Sequence, residues 1–177
     1  MRTAFVIGHH EKSKGALSKH FNLREWDFYN EVVSHMGDVS VFYHDENISG
    51  YTTRVKNTAS KINKFPFDLV IELHFNSAVD ERANGCETLY YFASKKGKQY
   101  AELFSSVVTS ETGIKTRNGG LKPLTNKNDR GFASVYYTTA PTILIEPFFG
   151  NNTEDCKKIQ STKNLARIIE KFLYKCS

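Results

Sequence analysis

Three short apolar runs in this chain each end on a residue that can bind a metal or carry a proton. They are "AFVIGH" (4–9), "DLVIELH" (68–74) and "PTILIE" (141–146). Continuous hydrophobic runs of this length suit strands covered on both faces, as in parallel sheets. Longer amphipathic segments lie between them, which is the alternation of an α/β protein. Strands are expected at residues 3–8, 39–43, 68–74, 87–92 and 142–146, and helices at 24–36, 51–64, 98–111 and 162–175. Tyr100, Leu103, Phe104 and Val107 recur at helical spacing, as do Leu165, Ile168, Ile169 and Leu173, and both stripes read as core. Residues 113–130, rich in Gly, Asn and Lys, read as a long loop that could rim a substrate site.

At 177 residues, with 40% hydrophobic and 24% charged residues, the chain suits one domain spanning 1–177. No run is long enough to cross a bilayer, and the first apolar run is too short for a secretory signal. Synthesis in the cytoplasm, without stable membrane association, is the expectation. Cys86, Cys156 and Cys176 are odd in number and scattered, without C-x-x-C spacing, so they read as reduced thiols. A formal charge of +5 and a pI of about 9.0 favour polyanionic partners, among them nucleic acid and acidic cell-wall polymers. No basic run interleaved with aromatics and no helix-turn-helix pattern supports nucleic acid, so that partner is not expected.

Active sites of open α/β sheets gather outside the carboxyl ends of the strands. If the three runs are parallel neighbours, His9, His74 and Glu146 converge there. Two imidazoles with carboxylates nearby are the ligand chemistry of a catalytic zinc, which also needs a third protein ligand and an open position. Glu25, opening the helix in "NLREWDFYNEVV", is the first choice for that ligand; Glu31 and Glu72 are its rivals. Glu72 precedes His74 by two, so strand alternation puts it on the same face but deeper in the sheet. His10 lies one residue beyond His9 and, on a continuing strand, would point to the opposite face. It is expected at the rim near substrate, as is Arg130 in "NKNDRG".

The motifs "VIGHHEKSKGA", "REWDF", "LVIELHFNS", "GCETLYY" and "APTILIEPFFGNN" resemble the zinc-dependent N-acetylmuramoyl-L-alanine amidases of the amidase-3 type, in particular phage endolysin catalytic domains. The likeness runs over nearly the whole chain. It implies a twisted mixed, largely parallel sheet flanked by helices on both faces. It implies one zinc ion held by His9, Glu25 and the His74 of an H-x-N motif, with Glu146 as the catalytic carboxylate and Asn76, the motif's asparagine, near substrate. Family members often carry Asn four residues after the helix Glu, where this chain has Tyr29.

The reaction implied is hydrolysis of the amide joining the lactyl group of N-acetylmuramic acid to L-alanine, with peptidoglycan as partner and the enzyme a monomer. Some bacterial members carry a blocking helix after the H-x-N strand. Here only "SAVDERANGC" (77–86) fills that interval, so an open site is expected. Absence of a signal and of a wall-binding domain suits an endolysin that stays in the host cytoplasm until an accessory membrane pore lets it reach the wall. Two other readings compete: another zinc amidohydrolase or carboxypeptidase-like enzyme, and a non-catalytic wall-binding module that would not need the three strand ends to meet.

Overall fold

The computed structural model describes residues 1–176. In chain order its strands are β1 (Thr3–Ile7), β2 (Leu17–Ser18), β3 (Leu23–Arg24), β4 (Ser40–Tyr43), β5 (Leu69–Leu73), β6 (Cys86–Tyr91), β7 (Thr116–Leu124) and β8 (Thr142–Glu146). Its helices are α1 (Glu25–Ser34), α2 (Tyr51–Ile62), α3 (Lys95–Thr112), α4 (Phe132–Tyr136), α5 (Thr153–Ile159) and α6 (Thr162–Cys176). The strands β2 and β3 form a small antiparallel pair, and the other six make one sheet in the order β4-β1-β5-β8-β6-β7. Neighbours in that sheet are parallel except β6, which runs antiparallel to β8. The mixed, largely parallel α/β sheet expected above is therefore the fold.

Strand alternation divides the core into two layers. Phe5 and Ile7 of β1, Leu69, Ile71 and Leu73 of β5, and Ile143 and Ile145 of β8 pack with α1, α3 and α6. On the opposite face Ala4, Val6 and Val70 meet Ile62 of α2, while Leu144 meets Phe132 and Val135 of α4. Helices therefore cover both faces, and the central strands are buried along their length, which is why they read as unbroken apolar runs.

Register brings the predicted residues together. Leu73 of β5 pairs with Ile7 of β1 and with Ile145 of β8, so these strands end at one level. Past the ends of β5 and β8, Phe75 and Phe148 pack with Phe28 of α1, ring centroids 5.3 to 5.7 Å apart. Each is almost fully buried, contributing about 1.5–3 kcal/mol. Phe75 follows His74 and Phe148 lies two beyond Glu146, so this platform fixes the backbone from which both functional side chains project.

One expectation fails. Residues 113–130 are not a continuous loop: 116–124 form the edge strand β7, parallel to β6. Its register jumps, with Thr116 opposite Cys86 but Leu121 opposite Thr88. Asn118, Gly119 and Gly120 all take positive φ within the jump, so the residues that mimic a loop build a bulge. Pro123 is tolerated because the strand lies at the sheet edge. The short helices α4 and α5 also fall where no helix was expected.

Candidate active site

The strand β1 stops at Ile7, and the Gly8 amide donates to the Leu73 carbonyl at 3.1 Å. His9 then takes φ of +67°, turning the chain out of the sheet. The strand does not continue, so His10 does not point away: both histidines line the same cavity, contrary to the alternation argument. Glu25 opens α1, and its amide donates to the Ala16 carbonyl at 2.9 Å. The His74 amide donates to the Ile145 carbonyl at 3.1 Å, and the Tyr29 hydroxyl donates to the His74 carbonyl. Tyr29, four residues after Glu25, thus ties α1 to the end of β5.

His9, Glu25 and His74 each present a donor atom, all within 4.8 Å of one another. His74 Nδ1 lies 2.7 Å from Glu25 Oε1, which also accepts from the Phe75 amide at 3.2 Å. His9 Nε2 lies 3.1 Å from Glu25 Oε2, yet it is buried without a hydrogen bond. An orphaned imidazole nitrogen facing a carboxylate and a second imidazole fits a metal ligand. Two glycines keep the rings close. A Cβ on Gly8 would stand 2.3 Å from His74 Cε1, and one on Gly15, where φ is +76°, 2.6 Å from His9 Nε2.

Electrostatics agree with that fit. Burial opposes charge on His74, but hydrogen bonds with Glu25 and Glu72 overcome it and push the imidazole up to about 10. Burial opposes charge on Glu25 too, yet His74 and His9 bring its carboxyl down to about 2. A carboxylate kept ionised against an imidazole that favours its cationic form is a pair in which a metal ion can take the proton's place.

The rival carboxylates lie elsewhere. Glu31 accepts from the Thr162 hydroxyl at 2.8 Å, against α6. Glu72 sits behind His74, with Oε1 3.1 Å from Nε2, on the same face and deeper, as alternation requires.

Glu146 ends β8 beside His74, in the same cavity of about 360 Å³. Its Oε2 accepts from Asn76 Nδ2 at 2.9 Å, and its Oε1 lies 3.8 Å from Arg130. Burial raises its carboxyl above the ordinary value, partly offset by His74 and Arg130, and Glu87 across the β6–β8 pair adds to the rise. Asn76, expected near substrate, holds this carboxylate. His10 and Arg130 do lie on the cavity wall. The segment 77–85 contains no helical residue, so no helix covers this mouth from that side.

The model of a family described as N-acetylmuramoyl-L-alanine amidase (amidase-3) matches residues 5–174. The chain belongs to that family. Among solved structures, the amidase resembles the catalytic domain of the CD27L endolysin targeting Clostridia Difficile: TM-score 0.77, 24% identity, 99% of this chain and 97% of that one. It also resembles an N-acetylmuramoyl-L-alanine amidase from Clostridium difficile 630 (TM-score 0.74, 23% identity, 98% and 95% covered). AmiC2 of Nostoc punctiforme gives a TM-score of 0.72 at 21% identity, covering 98% and 96%. At these identities the three establish the shared fold. No match is found among curated protein sequences.

Sequence reasoning missed several residues of this amidase's cavity. Arg54 and Lys127 add positive charge to its wall, and Glu87 adjoins Glu146. His44 follows β4 directly and also lines the cavity, so the strand-end rule that found His9 and His74 would have found it too.

Proposed function

We propose that this member of the family is a zinc-dependent N-acetylmuramoyl-L-alanine amidase, with His9, Glu25 and His74 as ligands and Glu146 as the proton-transfer residue. The observation that carries the reading is the buried, unbonded His9 Nε2 facing Glu25 and His74 at the strand ends. A donor set of two imidazoles and one carboxylate suits zinc, whereas calcium and magnesium prefer oxygen ligands. When bound there, zinc supplies a Lewis acid for the scissile carbonyl and lowers the pKa of water.

Glu146 does the proton work. Asn76 occupies Oε2, while Oε1 faces the cavity with Arg130 3.8 Å away. Oε1 takes a proton from the attacking water as the new C–O bond forms at the lactyl carbonyl carbon. It returns that proton to the alanine nitrogen as the C–N bond breaks. A carboxyl raised by burial accepts a proton more readily, which suits a base that must later act as an acid. Arg54, Lys127 and Arg130 make the wall positive, matching a stem peptide that carries free carboxylates. One chain supplies all four site residues, so the chemistry needs no second copy, in keeping with a monomer.

The lysis role of a phage endolysin, released from the host cytoplasm through a membrane pore, draws on the likeness to the CD27L catalytic domain and on the uncovered mouth. Expression in bacteria with and without a pore-forming protein tests it; lysis without the pore would argue against it. The chemistry is tested by metal analysis of the purified protein and by Glu146→Gln on purified sacculi. That variant should keep its zinc and lose activity.

A further inference from the structure

Behind His74 lies a buried polar group that the proposed reaction leaves unused. Glu72 is 3% exposed, on the α2 side of β5 beside Val6, Val70 and Ile62 and at the inner wall of the same cavity. Its Oε1 lies 3.1 Å from His74 Nε2 and 3.6 Å from His44 Nε2. His44 is 8% exposed, and its Nδ1 lies 3.0 Å from the Thr58 hydroxyl on α2. A carboxylate in an apolar layer is costly unless partners satisfy it. Here both partners are imidazoles.

The hydrogen-bond directions can be worked out. A carboxylate only accepts, so His74 Nε2, 3.1 Å away, carries a proton toward Glu72, while His44 Nε2 at 3.6 Å adds an electrostatic contact. His44 Nδ1 in turn pairs with the Thr58 hydroxyl at 3.0 Å, which anchors the ring to α2. On His74 the metal-free chain carries a proton at Nδ1 as well, held by Glu25 2.7 Å away; a metal that takes Nδ1 displaces that proton alone, because Glu72 keeps the one at Nε2. The tautomer that satisfies Glu72 is the one a metal ligand at Nδ1 needs.

We propose that Glu72, backed by His44 and Thr58, is a positioning residue that sets the tautomer and ring plane of His74 for metal binding. Outer partners of ligating histidines act in this way generally. The inference rests on the metal centre proposed above.

Full-length Glu72→Ala, Glu72→Gln and His44→Leu, stripped of metal, are titrated with zinc against a chelator of known affinity. Their cobalt-loaded absorption spectra and metal-free melting temperatures are recorded alongside. Glu72→Ala is expected to bind zinc roughly 10- to 100-fold more weakly than wild type and to change the cobalt bands. Glu72→Gln, whose amide oxygen still accepts from Nε2–H, should recover most of that loss. If Glu72→Ala lowers the melting temperature but binds zinc as wild type does, Glu72 is structural and the proposal is overturned. Should Glu72→Ala not fold, His44→Leu carries the same readout: weaker zinc binding supports the proposal and unchanged binding overturns it. A wild-type protein that binds no zinc overturns the metal centre and this inference together; wild-type binding matched by Glu72→Ala overturns this inference alone.

Discussion

Replacing Gly8 by alanine should disable the metal centre without touching a ligand. Gly8 does not take positive φ, so the backbone accepts alanine and only the new methyl is tested. That methyl would stand 2.3, 2.4 and 2.7 Å from Cε1, Nε2 and Nδ1 of His74, where ordinary contact is 3.4–4 Å. The ring must retreat by about 1 Å, while metal–ligand distances tolerate only about ±0.2 Å. Retreat also stretches the contacts with Glu25 at 2.7 Å and Glu72 at 3.1 Å. Hydrogen bonds to charged groups are worth about 1.5–3 kcal/mol each, and strain in a packed site adds about 1–3 kcal/mol. Zinc affinity should therefore fall by at least about 100-fold, with a lower melting temperature for the metal-free chain. Chelator-competition titration measures the first and thermal unfolding the second. Gly37→Ala, where a Cβ meets nothing within 4 Å, serves as the control. Zinc binding by Gly8→Ala equal to that of the control would refute the close-packing argument.

Asn76→Ala removes the 2.9 Å bond to Glu146 Oε2 and should cut turnover by about 10- to 100-fold while zinc content stays constant; unchanged turnover would return Asn76 to a substrate-contact role. Glu146 works as a base in its ionised form, and burial raises its carboxyl, so the acid limb of the activity profile should lie above its ordinary 4.5; a limb at or below that value contradicts the assignment. In the metal-free chain, His74 raised from 6.5 to about 10 stabilises the fold below pH 6.5, and this is lost as pH rises toward 10. Glu25, lowered from 4.5 to about 2, stabilises above pH 4.5, and this is lost as pH falls toward 2. Thermal melts should therefore show a maximum between pH 4.5 and 6.5, with zinc abolishing the alkaline decline; a metal-free melting temperature that climbs from pH 6.5 to 9 opposes the His74 assignment. Wall binding by a chain of charge +5 should weaken with added salt, measured by pelleting with sacculi; salt-insensitive binding removes charge as its cause.

The parts legible in the sequence were those written in continuous runs. The strands β1, β5 and β8 are buried on both faces, so their composition marks them, and their ends mark His9, His74 and Glu146. Glu25 was visible as a helix-opening carboxylate, yet its choice over Glu31 needed three-dimensional placement, because only the fold turns Glu31 toward α6. The strand β7 was hidden because a bulge uses the same Asn-Gly-Gly chemistry as a loop. The reversal of β6 was hidden as well, since β6 is buried much as β5 and β8 are and strand direction leaves no mark on burial. The side of His10 depended on where β1 stopped, which a φ of +67° at His9 decides and spacing alone does not. The roles of Asn76 and Glu72 are relational, each defined by one contact with a residue distant in sequence or deeper in the strand.

The most direct test of the account is mass spectrometry of purified sacculi digested by the zinc-loaded chain. The account predicts free stem peptides beginning at L-alanine and glycan strands whose N-acetylmuramic acid ends in a free lactyl carboxyl, both absent after metal removal and restored by zinc. Cleavage within the peptide or the glycan, or undiminished release of stem peptides by the metal-free protein, would contradict it.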